Sequence, residues 1–383
     1  GHTVQLADGR RHVFSHFGSG TYAGLPTYLS SHFVCNPILF HREYGELIKD
    51  GVVPKVYVDP MCPVTTPYDM MINQIAEQTR GGERHGSVGV GFGETIGRHF
   101  HKAYTLFARD LADEQTLRAK LGAIRTAWAR RRLAALGITP LVGAWADRFI
   151  DEGIFEKFIE ECRRFSEMIT LSDLPVLGGF DELIFEGAQG LLLDQNYGFY
   201  PHVTRSHTGV RNAVALAEKI GIEKLDVFYL TRSYVTRHGA GPLPHELPQQ
   251  PYRKIVDKTN IPHPYQGTLR FAWFDSDIFR DVVIRDLKSN RSRVDLCPHL
   301  GMSCLDQIDG EATYIAGGKL KSGSAESLVE TARQAIGAPT ALTSYGPTRA
   351  TIQKKKLCSG FWRINGVFKA FNVEQADCFV AVC

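Results

Sequence analysis

The residues of this chain best suited to chemistry sit in short glycine-rich stretches. Phe185-Glu186-Gly187-Ala188-Gln189-Gly190 runs into Leu191-Leu192-Leu193-Asp194, and Tyr200-Pro201-His202-Val203-Thr204 follows. The pattern is a strand ending in a tight turn, where glycines permit a close backbone approach to a ligand. Gln189 then projects at the carboxyl end of a strand, the place where open α/β sheets bind ligands. Its amide can both donate to and accept from a purine edge or a phosphate. An ordinary strand-to-helix turn bearing one polar residue fits the same letters equally well. Gly86-Ser87-Val88-Gly89-Val90-Gly91-Phe92-Gly93 spaces glycines so that several backbone N–H groups can surround a phosphate, and Ser87 adds a hydroxyl. No lysine follows in the Walker spacing, so it is not a triphosphate loop of that type. In Gly1-His2-Thr3 the histidine can act as a general acid, beside a carbonyl for Mg²⁺ and a hydroxyl for phosphate. With 14 histidines in the chain, that triplet carries little weight alone.

Three further stretches add polar groups. Thr236-Arg237-His238-Gly239-Ala240-Gly241-Pro242-Leu243-Pro244 is a stiff loop bearing a cation, and Ser303-Cys304-Leu305-Asp306 and Thr343-Ser344-Tyr345-Gly346-Pro347 follow it. An aspartate at a strand end can accept two hydrogen bonds from guanine N1 and N2, a chemical basis for base choice. A solvated strand-end aspartate is the plain alternative.

Short apolar runs alternating with helix-like stretches must position these groups, which predicts an α/β fold with a largely parallel sheet. Candidate strands include 56–58, 182–185 and 227–230, and candidate helices include 69–79, 115–136, 151–169, 209–220 and 325–336. Six prolines mark 239–266 as an irregular loop. Residues 354–383 open with Lys354-Lys355-Lys356 and continue as an aromatic, cysteine-bearing tail of unassigned role. A solvated charge run followed by an edge strand is the expectation there.

The bulk numbers set bounds. Of 383 residues, 43% are hydrophobic and 22% charged, as in a soluble globular protein, and the net charge of +3 argues for neither nucleic acid nor a membrane surface as partner. Apolar runs are too short to cross a bilayer. Eight scattered cysteines (Cys35, Cys62, Cys162, Cys297, Cys304, Cys358, Cys378 and Cys383) form no C-x-x-C pair. A zinc site or disulfide framework is not expected from that spacing, and a reducing cytoplasm fits.

Taken in order from Gly1 to about Arg349, the motifs resemble the adenylosuccinate synthetase family. That family has Asn-Ala-Gly-His-Thr, Gly-Thr-Thr-Gly-x-Gly-x-Gly, Glu-Gly-Ala-Gln-Gly with Tyr-Pro-x-Val-Thr, Thr-Arg-Val-Gly-Ala-Gly-Pro-x-Pro-Thr-Glu, Thr-x-x-Asp and Ser-Thr-Gly-Pro. The stretches 185–204 and 236–246 carry the most specific likeness. The resemblance implies a P-loop-type α/β fold, a central mostly parallel sheet flanked by helices, forming one catalytic domain over 1–383. It also implies a ligase that joins L-aspartate to C6 of a 6-oxopurine nucleotide (IMP) through a 6-phosphoryl intermediate, with GTP or ATP as donor and Mg²⁺ as cofactor. By the same resemblance His2 and Gln189 would be catalytic. Gly1, His2, Thr3, Ser303, Asp306, Ser344 and Gly346 would hold the phosphate donor, the Gly1 carbonyl binding the metal. Gly86, Ser87, Gly89, Gln189, Thr204 and Arg237 would hold the nucleotide substrate, and Thr268 and Arg270 the amino acid. Members are commonly homodimers in which one subunit sends a cation into the other's site, and Arg98 or Lys102 would take that part.

The chain departs from the family in four places. The family's first strand and phosphate loop, Gly-Asp-Glu-Gly-Lys-Gly-Lys, are expected ahead of Gly1 and are not in this sequence. The aspartate loop, with clustered arginines in the family, reads Tyr265-Gln266-Gly267-Thr268-Leu269-Arg270 here. Val88 stands at a phosphate-binding threonine and Cys304 at a lysine that packs on guanine. Three alternatives accompany the main reading: a phage-type relative acting on dGMP, a relative using another amine, and a nucleotide-binding module without catalysis.

Overall fold

The computed structural model describes residues 2–83, 85–257, 260, 267–356 and 378–382. The chain divides into two compact units. The first comprises Gly1–His2, Phe14–Ala188 and Ala376–Cys383, and the second Thr3–Val13 and Gln189–Gln375.

The first unit is built on a parallel sheet ordered Thr170–Leu171, Val56–Val58, Thr27–Leu29, Cys378–Val382 and Glu182–Glu186. Tyr28, Leu29 and Val58 are fully buried, as expected of parallel strands covered on both faces. The sequence supports the flanking helices at their ends. Asn36 caps Pro37–Lys49 by accepting from the Ile38 and Leu39 amides, and Thr66 and Asp69 form a reciprocal capping box on Pro67–Arg80. Phe40 of the first helix meets Phe165 of Glu152–Met168 edge-on at 4.8 Å in the core. The helix expected over 115–136 runs as Glu114–Ala123 and Ala129–Ala135 around one wide turn at Ile124–Trp128.

Two expectations are corrected in this unit. The C-terminal strand Cys378–Val382 is not an edge strand: it lies between Thr27–Leu29 and Glu182–Glu186, parallel to both. Arg98 does not reach toward another subunit. Its side chain is fully buried, donating to both Asp69 oxygens at 2.9 and 3.0 Å, to the Tyr104 carbonyl at 2.6 Å and to the Val64 carbonyl at 2.7 Å. It clamps the start of Pro67–Arg80 to the end of Phe92–His99, the two helices that flank the 81–91 glycine stretch.

Next to this clamp, His99 takes the Leu106 amide proton at Nε2 across 3.4 Å and packs edge-on against Phe107. Burial, then the Arg98 charge, push the imidazole from an ordinary 6.5 down to about 4. The unfolded chain therefore gains a proton near pH 6.5 that the folded protein refuses until about pH 4. Stability from this group is complete above pH 6.5 and drains as pH falls through that window, by up to about 3 kcal/mol. Urea unfolding of His99→Leu at pH 7 and pH 4.5 should show a flatter pH dependence than the parent. Equal slopes would place the acid sensitivity elsewhere.

The second unit holds two larger sheets. One is ordered Ile352–Lys356, Thr340–Ser344, Asp295–Ser303 and Lys224–Arg232, with all but the first strand parallel. The other is ordered Lys319–Gly323, Ala312–Ala316, Leu269–Asp275 and Tyr234–His238, with Glu246–Leu247 also paired to Leu269–Asp275. Leu300, Met302, Leu328, Ala332 and Ala341 fill the core beneath Ala325–Ala335. The lysine run opening the tail lies on the Ile352–Lys356 edge strand, where charge discourages further strand pairing. The α/β class with parallel strands and flanking helices is as read from the sequence, although the strands are shared among several sheets.

Candidate functional site

In the first unit, the strand Glu182–Glu186 delivers Glu186 and Gly187 to the ring of His2. Nδ1 of His2 lies 3.1 Å from a Glu186 carboxylate oxygen, and Nε2 lies 3.0 Å from the Gly187 carbonyl. Glu186 also accepts from the Ser19 amide at 3.1 Å and from the Ser19 hydroxyl. Burial works to raise this carboxyl, but the hydrogen bond and charge of His2 and the bonds from Ser19 hold it below the usual carboxylate range. Both ring nitrogens of His2 thus face oxygen atoms, the Glu186 carboxylate on Nδ1 and the Gly187 carbonyl on Nε2, which fixes the plane of the ring. The ring stands, partly exposed at 34%, just beyond the carboxyl end of a parallel strand. Thr3, next along, is exposed. Gly1 lies outside the described residues. His2 and the 185–190 turn are separate signals in the sequence, and Glu186 was legible there only as a letter of the turn.

The glycine stretch is held by its own helix. Glu77 accepts from the Gly86 amide at 3.0 Å and the Ser87 amide at 3.3 Å. Asn73 accepts from the Ser87 hydroxyl at 2.9 Å and the Gly91 amide at 3.2 Å, while Gln74 donates to the Gly89 carbonyl at 3.0 Å. Two of the N–H groups expected to cradle a phosphate, those of Gly86 and Ser87, therefore already meet a buried carboxylate. Gly91 has no substitute: its φ is +82° and a Cβ would stand 2.8 Å from the Met70 amide nitrogen. Sequence reasoning missed Asn73 and Glu77, since neither lies in a recognisable motif.

In the second unit, Gln189 holds φ at 72°, the left-handed region that glutamine rarely enters, and its side chain is exposed. Such strain persists where function or context requires it. Thr204 is tied by its amide to the Leu193 carbonyl at 2.8 Å. Arg237, nearly buried, donates to the Ala240 carbonyl at 2.8 Å and the His202 carbonyl at 2.9 Å. Burial, then the nearby Arg270 charge, lower its affinity for its proton. Arg270 forms a forked pair with Glu246 and donates to the Gly239 and Gly241 carbonyls at 3.0 and 2.8 Å. The two arginines together pin the 239–241 turn. Thr268 is exposed in the bend before Leu269–Asp275. Gly241 sits at φ +104° with a Cβ position 2.6 Å from both Arg237 Nη2 and His202 Cβ. Gly241→Ala should therefore cost roughly 2 kcal/mol or more, from backbone strain and collision together. A thermal melt reads the loss, and an unchanged melting temperature would mean the turn is not held as described.

Ser303 and Ser344 end neighbouring parallel strands, Met302 pairing with Thr343 in register. Just beyond those ends come exposed Asp306 and the half-buried Gly346, whose carbonyl accepts from the Ser344 hydroxyl at 2.7 Å. The Ser303 hydroxyl donates to the Thr231 carbonyl at 3.2 Å. Cys304 holds φ at 63° and turns the chain toward Asp306. The two motifs thus meet at the carboxyl edge of one parallel sheet, where such sheets place ligands.

Comparison with known proteins adds the following. Residues 1–288 match the family model described as adenylosuccinate synthetase. The chain is 31% identical over 295 residues to the adenylosuccinate synthetase of Lactobacillus acidophilus, covering 73% of this chain and 64% of the relative, so it spans just under two thirds of that protein's length. It is 29% identical over 332 residues to the adenylosuccinate synthetase of Pseudomonas fluorescens, covering 82% of this chain and 70% of that one. Among solved structures, a fully ligated adenylosuccinate synthetase from Plasmodium falciparum superposes with a TM-score of 0.67 at 16% identity, covering 93% of this chain and 91% of that chain. A cyanophage S-2L succinoaminodeoxyadenylate synthetase bound to dGMP, with dATP as energy donor, gives 0.55 at 15%, covering 92% and 83%.

Proposed function

This chain belongs to the adenylosuccinate synthetase family, and from that premise we propose that it joins L-aspartate to C6 of IMP at the expense of GTP. In the proposed reaction a general base takes the N1 proton, the purine 6-oxygen attacks the γ-phosphorus of GTP, and GDP departs. The aspartate amine then attacks C6, and inorganic phosphate leaves with the former 6-oxygen. Phosphorylation converts a poor leaving oxygen into a good one, and the protein's work is positioning and charge stabilisation.

The observation that carries this reading is the His2 ring, with both nitrogens on acceptors at the end of Glu182–Glu186. With Nδ1 held by Glu186, Nε2 would exchange the Gly187 carbonyl for a phosphoryl oxygen and donate to it as negative charge develops there. Gln189 would meet the purine edge. Gly86, Ser87 and Gly89 would hold the nucleotide phosphate after exchanging Glu77 for it, and Thr204 and Arg237 are the nucleotide contacts proposed on the second unit. Asp306 would accept from guanine N1 and N2, with Thr3, Ser303, Ser344 and Gly346 around the donor. We further propose a cytoplasmic homodimer, with exposed Lys102 rather than buried Arg98 as the cation offered across subunits.

The Mg²⁺ implied by the family needs several oxygen ligands. Glu186, the carboxylate beside His2, is already engaged by His2 and Ser19, and Gly1 lies outside the described residues. The protein ligand proposed for the ion is therefore the Gly1 carbonyl, and the ion would supply positive charge to offset that of the transferring phosphoryl group.

If Arg270 grips a carboxylate of aspartate, Glu246 must yield to the substrate. Arg270→Lys keeps the charge and loses the fork. The aspartate KM should then rise by roughly 10- to 100-fold with the purine KM unchanged. Equal KM values would leave Arg270 as a brace of the 239–241 turn and nothing more.

The test is to incubate the full-length gene product with Mg²⁺, GTP, ATP, aspartate, IMP and dGMP together and read products by mass spectrometry. A succinyl adduct of IMP supports the proposal. An adduct of dGMP instead would place the chain with the phage-type enzyme, the reading to which the likeness to the dGMP-bound cyanophage structure lends weight. Purine-stimulated triphosphate hydrolysis without an adduct would point to a different amine, and neither product to a nucleotide-binding module.

A further inference from the structure

On the neighbouring parallel strands Lys224–Arg232 and Asp295–Ser303, three side chains of metal-binding type meet away from all the residues considered above. The register sets Cys297 opposite Asp226 and His299 opposite Phe228, so the two-residue period of a strand sends all four to one face. His299 is 1% exposed and stacks on Phe228, ring centres 4.7 Å apart and planes 20° off parallel. The stack fixes the imidazole so that Nε2 stands 3.2 Å from a carboxylate oxygen of Asp226. The donor atoms of Asp226, Cys297 and His299 all lie within 4.8 Å of one another.

We propose that Asp226, Cys297 and His299 form a Zn²⁺ site with three protein ligands and water in the fourth position. Two ligands each about 2.0 Å from a tetrahedral ion stand about 3.3 Å apart, which is the spacing already present between His299 and Asp226. The thiol lies within 4.8 Å of both other donors and has at most about 1 Å to close to complete the set. One thiolate, one imidazole and one carboxylate suit zinc, whereas Mg²⁺ and Ca²⁺ favour all-oxygen cages. Binding is balanced by release of the thiol proton to solvent as the sulfur–zinc bond forms. Lys224, 3.6 Å from the Asp226 carboxylate and 44% exposed, can swing into water as the ion enters.

The site lies at the amino-terminal part of both strands. Cys297 is six residues, or about 20 Å along a strand, from Ser303 at the carboxyl edge. The ion would thus tie two strands of the core together rather than take part in chemistry at that edge. The rival account is that Asp226 simply accepts a hydrogen bond from His299 and Cys297 is a bystander.

Cobalt separates the two. Full-length protein stripped of metal by a chelator is titrated with Co²⁺, then with Zn²⁺. The proposal expects one equivalent bound, a near-ultraviolet thiolate-to-cobalt band, displacement by Zn²⁺ and a higher melting temperature with Zn²⁺. Cys297→Ser should abolish the band, and Asp226→Asn, which preserves a hydrogen-bonding partner for His299, should weaken binding by at least roughly tenfold. Both positions are partly exposed, so both variants should keep the metal-free melting temperature of the parent. Absence of the band in the parent, or its survival in Cys297→Ser, would overturn the proposal.

Discussion

Replacing His2 by Asn should lower kcat for ligation by roughly 10²- to 10⁴-fold, the range of a positioned general acid, with the KM of the purine nucleotide changed only a few-fold. The argument is geometric. Glu186 and the Gly187 carbonyl each present an oxygen to one ring nitrogen at 3.1 and 3.0 Å. Asparagine can replace the Nδ1 contact with Glu186 but has no acidic proton to give to a developing phosphoryl charge once Nε2 is gone. A loss confined to kcat would mean that the group acts in the transition state and not in ground-state binding. Steady-state kinetics with the purine nucleotide and the triphosphate varied in turn decide the matter. A His2→Asn enzyme with parental kcat would remove the histidine from the chemistry, whatever its place in the fold.

The second large effect concerns stability. Arg98→Met should cost about 3–5 kcal/mol of unfolding free energy, because it strands a buried carboxylate and two carbonyls that the guanidinium satisfies. Asp69 retains its bonds with Thr66, the amide at 2.9 Å and the hydroxyl at 2.8 Å, so part of its charge stays compensated. Arg98→Met combined with Asp69→Asn should therefore recover part of the loss, since no buried charge is then left unpaired. Urea unfolding at pH 7 gives both values. A single-variant loss below about 1 kcal/mol would contradict the buried clamp, being the size expected of an exposed pair. The same clamp fixes the helices on either side of the glycine stretch, so purine binding should weaken alongside stability.

What the sequence made legible follows from locality. The strand Glu182–Glu186, the turn after it and the helix Ala325–Ala335 are written in short-range patterns: an apolar run, glycines, and Ser324 capping by accepting from the Ser327 amide. The strand-end position expected of Asp306 is local too, since it follows Asp295–Ser303 after a single turn. Long-range pairings were not legible. Gly187 meets His2 across 185 positions, with Glu186 beside it, and no spacing rule reaches that far. The helix Phe92–His99 begins inside a glycine-rich stretch and contains Gly93 and Gly97, both poor helix formers. It persists because tertiary contacts, Arg98 to Asp69 above all, override that propensity. The free-looking cations of the motifs, Arg237 and Arg270, turned out to brace loops through backbone carbonyls, a role that composition cannot distinguish from substrate binding. The interior position of Cys378–Val382 likewise depends on which strands it joins and not on its own letters.

The central claim is that the 6-oxygen of the purine becomes the bridging oxygen of a phosphoryl group before the amine displaces it. IMP labelled with oxygen-18 at C6 tests this directly, with the full-length gene product, Mg²⁺, GTP and aspartate, and mass analysis of the inorganic phosphate released. The account predicts one labelled oxygen in each phosphate formed per ligation. Unlabelled phosphate alongside a succinyl adduct would contradict it, since the oxygen would then have left C6 without ever having been bonded to phosphorus.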